Sequence, residues 1–155
     1  MTEEAARLLA QNGTWYVPTL TAGYMVGSPE GSARLPEWAA RKGRMAWAAI
    51  QRGVRYAVQA GVKIALGTDA GVFPHGINAK EFELLVTIAG MTPMQAIQTG
   101  TMNSATLLGL EHDVGSIEPG KFADLVAVTG DPLQDITLLQ HPAFVMKGGA
   151  VVVQH

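Results

Sequence analysis

The stretch from Val62 to Asn78, VKIALGTDAGVFPHGIN, sets the terms for the whole chain. It opens with a short apolar run, Val62 to Leu66, interrupted only by Lys63. A run of that length, bounded by glycines, fits a strand buried on both faces of a sheet. Gly67 and Thr68 end it, Asp69 stands at its carboxyl end, and a glycine-rich loop from Ala70 to Gly76 carries His75. In parallel α/β sheets, catalytic groups gather where such strands end. An aspartate there can ligate a metal, act as a general base, or do both. Asp before Ala-Gly is also ordinary turn chemistry, its carboxylate bonding loop N–H groups.

The flanking segments supply the partners such a strand needs. Thr2 predicts an N-cap for a helix from Glu3 to about Gln11, with Glu3 and Glu4 favourable at the positive end of the dipole and Asn12-Gly13 as its close. Thr14 to Leu20, TWYVPTL, is β-branched and aromatic and predicts a strand, with Pro18 near its end. Thr21 to Leu35 reads as a loop holding Tyr24 and Met25, long enough to be functional. Pro36 suits the first turn of a long helix ending at Ala60, with Gly61 as the stop. Trp38, Met45, Ala49, Arg52 and Tyr56 form its main stripe, and Gly43 and Gly53 weaken it locally. After the Val62 strand, a helix is expected from Ala79 to Ala89, N-capped by Asn78 and stopped at Gly90. Thr92-Pro93 starts another to about Thr99, and a short one spans Asn103 to Leu108. Strands alternating with helices imply parallel βαβ units.

Beyond Gly109 the character changes to β. Val114 to Ile117 reads as a short strand. Glu118-Pro119-Gly120 predicts a type II turn, with Lys121 solvated beside it. Strands are expected at Ala123 to Val128, Ala143 to Lys147 and Ala150 to Gln154, the last two joined by Gly148-Gly149, a two-residue hairpin signal. The chain therefore divides into an α/β part, 1–110, and a β part, 111–155.

Composition bears on what surrounds the chain. Only 15% of the 155 residues are charged, while 48% are hydrophobic; typical globular chains carry about 25% charged residues. That balance fits a surface partly covered by something else. Lipid is not the cover, since no apolar run approaches the roughly 18 residues a membrane helix needs. Met1-Thr2-Glu3-Glu4 does not read as a signal peptide. Cysteine is absent, which excludes disulfides and thiolate metal sites and leaves the cytoplasm as the default compartment. A net charge of −2 gives no case for nucleic acid. No G-x-x-x-x-G-K-[ST] spacing supports a phosphate loop.

Three segments together resemble the metal-dependent amidohydrolase superfamily: ALGTDAGVFPHG, VGSIEPGKFADLVAVTGDPLQDI and FVMKGGAVV. Within it the chain is most similar to the prolidase-like and imidazolonepropionase-related branch. The second segment carries the more specific motif, G-x-I-x-x-G-x-x-A-D-L. The resemblance implies the C-terminal part of a (β/α)8 TIM barrel, with strands like the seventh and eighth and their helices, followed by part of a small C-terminal β-sandwich subdomain. It implies a hydrolase of C–N bonds in amides, dipeptides or cyclic amides, acting through a metal-activated water on a small-molecule substrate. The cofactor implied is a divalent metal, zinc in the first instance.

Asp69 matches the aspartate at the end of the last barrel strand, which ligates the metal and takes part in proton transfer. His75, in the following loop, either contacts substrate and the tetrahedral oxyanion or bonds the loop backbone. Tyr24 either binds a substrate carboxylate or carbonyl or is a half-buried loop tyrosine. His112, His141 and His155 read as surface residues, and Asp124 and Asp131 as structural. The family's other ligands, a His-x-His pair among them, have no counterpart here. The expectation is thus an incomplete catalytic set in this chain, which needs a missing N-terminal part or self-associates. The alternative is a non-catalytic remnant or assembly piece that pairs with another chain.

Overall fold

Thr2 caps the first helix as its position predicts: its hydroxyl accepts the Ala5 N–H at 3.2 Å, and α1 spans Glu3–Gln11. The computed structural model describes residues 1–33 and 35–154. Arg34, within the expected Thr21 to Leu35 loop, and His155 lie outside the described residues. Strand β1, Trp15–Tyr16, pairs in parallel with β2, Lys63–Ile64, in the register Trp15 to Lys63 and Tyr16 to Ile64. The parallel βαβ order read from the sequence is therefore present.

Both strands are shorter than their apolar runs. The outer edge of β2 meets side chains and helix ends instead of a further strand. Asn103 donates its side-chain N–H to Ile64 O at 2.8 Å, and the Leu66 N–H donates to Thr99 O at 3.0 Å. The ladder stops where its backbone groups find these other partners.

The segment expected as a loop is helical. Helix α2 covers Leu20–Gly27 and α3 covers Pro29–Ser32. Ser28 caps α3, its hydroxyl accepting the Gly31 N–H at 2.9 Å with Pro29 in the first turn. Gly23 and Gly27 look like loop residues in sequence, but they serve a helix crossing. Helix α4, Glu37–Gln59, packs along α2. A Cβ at Gly27 would lie 2.6 Å from Gly43 O, and one at Gly43 would collide with the Val26 carbonyl. Gly43 is thus the contact point of α4 rather than a weak spot. The same crossing corrects the stripe read for α4. Its buried face holds Ala40, Gly43, Trp47, Val54 and Ala57, while Trp38 and Met45 are 72% and 69% exposed. Close backbone approach selects small residues, so side-chain size points to the wrong face.

Helix α5 spans Lys80–Thr87, α6 spans Pro93–Gln98, and α7 spans Ser104–Leu108 with Gly109 left-handed after it. A single π turn, Thr99–Asn103, joins α6 to α7 without a break. Thr92 and Gln95 form a reciprocal capping box on α6. Asn78 does not cap α5 with its side chain. Ala79 occupies that position without a side-chain cap, and Asn78 contributes only its carbonyl, accepting the Glu81 N–H at 3.2 Å. The core is formed by Leu20, Val54, Ile64, Leu84, Leu85 and Ala96 with their neighbours.

The C-terminal region is one antiparallel sheet, in the order β3 (Leu125–Ala127), β4 (Phe144–Lys147), β5 (Ala150–Gln154). The described residues form one layer there, not two. Val114 to Ile117 is irregular rather than a strand. The ammonium of Lys121 explains this, since it binds the turn from inside: it donates to Glu111 O at 2.7 Å and Ser116 Oγ at 2.6 Å. Its side chain is only 15% exposed, not solvated as its turn position suggests. Asp124 and Asp131 hold structure. Asp124 accepts from Lys147 Nζ and from the Gly148 N–H, the latter at 2.7 Å, and Asp131 accepts the Leu133 N–H at 2.9 Å. A 3₁₀ turn, Ile136–Gln140, returns this region to α5, where Gln140 donates to Glu83 at 2.8 Å.

Candidate functional site

Two non-glycine residues among those described have positive φ: Thr19 at 47° and Asp69 at 55°. Each lies just beyond a parallel strand, Thr19 after β1 and Asp69 after β2. Aspartate tolerates the left-handed region because its short polar group adapts locally. Here the loop is tied down by other atoms. Asp69 O accepts the Val72 N–H at 3.3 Å, Gly71 N–H donates to Phe73 O at 3.3 Å, and the Phe73 ring is buried. The Asp69 side chain is exposed and makes no hydrogen bond among the described residues. The main chain makes the turn, so the carboxylate is available to an outside group.

His75 lies further along the same loop, exposed and likewise without a hydrogen bond among the described residues. Tyr24 lies on α2, half-buried. Its ring meets Trp47 edge-on with centroids 6.1 Å apart, its hydroxyl is 3.3 Å from Glu30 Oε2, and Lys80 Nζ sits 5.3 Å from its ring centre. Those contacts link α2 to α3, α4 and α5. His112 and His141 are exposed in turns of the C-terminal region.

A residue that sequence reasoning passed over ties the turn after β1 to the start of α5. Glu81 is fully buried. One carboxylate oxygen accepts the Leu20 N–H at 2.7 Å; the other accepts the Thr21 N–H and the Thr21 hydroxyl, each at 2.7 Å. These N–H groups open α2, which has no side-chain cap of its own. Burial pushes the Glu81 carboxyl up, against the pull of its three donors. Burial also pushes the Tyr16 hydroxyl up, reinforced by the Glu81 charge. The available signal was spacing: Glu81 shares a helix face with Leu84 and Leu85, at i+3 and i+4.

A cavity of about 210 Å³ lies at the other end of β2, lined by Lys63, Gln98 and Asn103 among others, and does not include Asp69. No three His, Asp or Glu side chains among the described residues stand close enough together to hold a metal. A catalytic zinc generally takes three protein ligands, so the described residues do not by themselves fit one. Asp69 can offer a single ligand.

A mixed α/β fold with a free carboxylate at the carboxyl end of a parallel strand has clear relatives. The chain belongs to the amidohydrolase family, whose profile matches residues 3–152. Ochratoxinase from Aspergillus niger is 33% identical over 158 residues, covering 95% of this chain and 31% of that protein. Imidazolonepropionase from Geobacillus kaustophilus is 39% identical over 106 residues, 64% of this chain and 24% of that protein. Among solved structures, a Xaa-Pro dipeptidase with methionine bound in its active site superposes with a TM-score of 0.88 at 46% identity, covering 99% of this chain and 38% of that one. The chain thus spans between about a quarter and two fifths of the length of these relatives.

Proposed function

We propose that this chain is the C-terminal part of a metal-dependent hydrolase that cleaves C–N bonds in dipeptides, other amides or cyclic amides. The observation that carries this reading is the 46% identity to a Xaa-Pro dipeptidase over 99% of the chain. A dipeptide with proline in second place is the first substrate class to test. In this reading residues 1–110 are part of a (β/α)8 barrel, with β1 and β2 as its seventh and eighth strands. Residues 111–155 contribute one layer of a β-sandwich.

Asp69 is the catalytic residue of the chain and its one metal ligand. Asp69 would be one ligand of a divalent metal, zinc in our reading, which would supply Lewis-acid chemistry; the other ligands would come from outside the described residues. Hydrolysis adds water across the C–N bond. The Asp69 carboxylate is free to take a proton from the attacking water and return it to the leaving amine. His75, exposed in the same loop, meets the substrate or its oxyanion in this reading. Tyr24 borders the substrate side of α2 in this reading.

The test uses the full-length polypeptide that contains this chain, assayed for amine release from Xaa-Pro dipeptides, N-acyl amino acids and cyclic amides. We expect turnover on one of these classes and its loss by about 10²–10⁴-fold in Asp69→Asn. No turnover on any class, or an Asn variant as fast as wild type, overturns the reading.

A further inference from the structure

We propose that Glu81 is a positioning residue of this site: its carboxylate holds the left-handed turn at Thr19 and so fixes the end of β1 against the loop that carries Asp69. The proposal rests on the hydrolase reading above for its function, though not for its geometry.

The argument starts with Thr19. A β-branched residue in the left-handed region is an outlier, and such backbone persists only where its surroundings over-determine it. Thr19 does not stabilise itself: it opens α2 without a side-chain cap. The next two N–H groups, Leu20 and Thr21, and the Thr21 hydroxyl all donate to Glu81 at 2.7 Å. Both carboxylate oxygens are used, so the contact fixes direction as well as distance.

The second step is where Glu81 comes from. It lies in the first turn of α5, directly after the loop that begins at Asp69, and its own N–H is anchored on Asn78 O at 3.2 Å. One side chain therefore ties the β1–α2 turn to the far end of the Asp69 loop. The near end is in touch as well. A Cβ at Gly67, two residues before Asp69, would lie 3.8 Å from the Thr19 methyl and would collide with Val17. The Thr19 turn thus runs beside the strand end that delivers Asp69. The left-handed backbone at Thr19 lacks the extended conformation of a capping residue, so its own hydroxyl does not serve these N–H groups. A buried carboxylate is a costly substitute, and what it adds is a fixed relation between two loops.

Glu81→Gln tests this. The amide keeps the shape but replaces one acceptor oxygen with a donor group, which faces N–H groups. Backbone amide NMR on the wild-type and variant polypeptides reads the geometry without any assay. Faster hydrogen exchange at Leu20 and Thr21, by at least tenfold, is expected together with shifted resonances from Asp69 to Phe73. A change confined to residues 19–21 would make Glu81 a local cap only and overturn the proposal.

Kinetics on the full-length enzyme adds the functional half. We expect kcat to fall at least tenfold in Glu81→Gln with KM within threefold of wild type. Adding Thr19→Gly should recover part of the loss, because glycine adopts the left-handed region without strain. Equal kcat in wild type and Glu81→Gln overturns the positioning role, and so does a loss that Thr19→Gly leaves unchanged. Wild-type inactivity would instead fail the hydrolase reading, and the amide data would then decide the positioning.

Discussion

Glu81 and Thr21, 60 positions apart in sequence, are joined by two hydrogen bonds of 2.7 Å to a single carboxylate oxygen. Both groups are fully buried. Removing the acceptor leaves the Leu20 N–H, the Thr21 N–H and the Thr21 hydroxyl without a partner and without water. Leaving a buried donor without its acceptor costs about 1–3 kcal/mol, a sizeable share of a typical stability of about 5–15 kcal/mol. Glu81→Ala should lower the urea midpoint accordingly. A shift under about 0.5 kcal/mol, the range of ordinary surface changes, would contradict the burial of this contact.

The same carboxyl predicts a pH dependence. Burial raises its pKa in the folded state above the ordinary 4.5. The folded protein therefore keeps this proton to a higher pH than the unfolded chain does. Between 4.5 and the folded value, the unfolded state binds fewer protons, so this group's contribution falls as pH rises. Above the folded pKa the slope from this group vanishes. Glu118, Asp124 and Asp135 have lowered values, from hydrogen bonds with Ser116, Lys147 and Thr137 first, and act in the opposite direction at acid pH. Comparing urea midpoints of wild type and Glu81→Gln across pH 4–8 isolates the Glu81 slope. Parallel curves would show that burial does not shift it.

The crossing of α2 and α4 makes Gly43 sensitive. Its Cβ would collide with the Val26 carbonyl, and backbone cannot yield as a side-chain tip can. Alanine normally favours a helix over glycine by about 1 kcal/mol. Here overpacking should reverse the sign and cost about 1–3 kcal/mol. Thermal melting of Gly43→Ala checks it, and a stabilised variant would refute the close approach.

What the sequence made legible depended on how local each signal was. Thr2, the Thr92-Pro93 pair, Gly109 and Gly148-Gly149 act within a turn, and the structure places caps and turns at all of them. Val62 to Leu66 announced a buried strand, and its parallel partner followed from the alternation of elements. The failures were tertiary. Gly23 and Gly27 read as loop because the helix they pack against is invisible in a local window. Trp38 and Met45 outweighed Ala40 and Gly43 for the same reason. Glu81 drew no reading because its donors lie about 60 positions earlier. Asp69 drew notice in the sequence through its strand end; that its carboxylate is free of the loop could be seen only once the loop's backbone bonds were known.

The hairpin between β4 and β5 offers a purely conformational test. Gly148 and Gly149 have φ of 55° and 80°, the type I′ pattern, and no atom lies within 4 Å of a Cβ built on either. Gly149→Val therefore meets no clash, only the left-handed penalty of about 1–2 kcal/mol for an L-residue. For a chain of this size, 1 kcal/mol corresponds to roughly 2–4 °C in Tm. An unchanged Tm would mean the turn relaxes to another type.

The last prediction concerns the 155-residue chain by itself. Asp69 offers one ligand, and no three-ligand cluster exists among the described residues. Zinc held by one exposed carboxylate exchanges with water, so stoichiometric retention is not expected. Large apolar side chains also stand in solvent: Ile117 is 88% exposed and Phe122 64%, with Leu108, Val126 and Val152 exposed near the same value. Strand β5 forms an open edge of its sheet, and such edges pair with other chains unless covered. The isolated chain should therefore self-associate and hydrolyse none of the amides above at an enzymatic rate, and supplying the rest of the hydrolase proposed above should reverse both. Light scattering and metal analysis on the purified chain measure this directly. A monomer with one tightly held zinc, whose amide hydrolysis disappears on chelation, would show that the ligand set is complete within these residues after all.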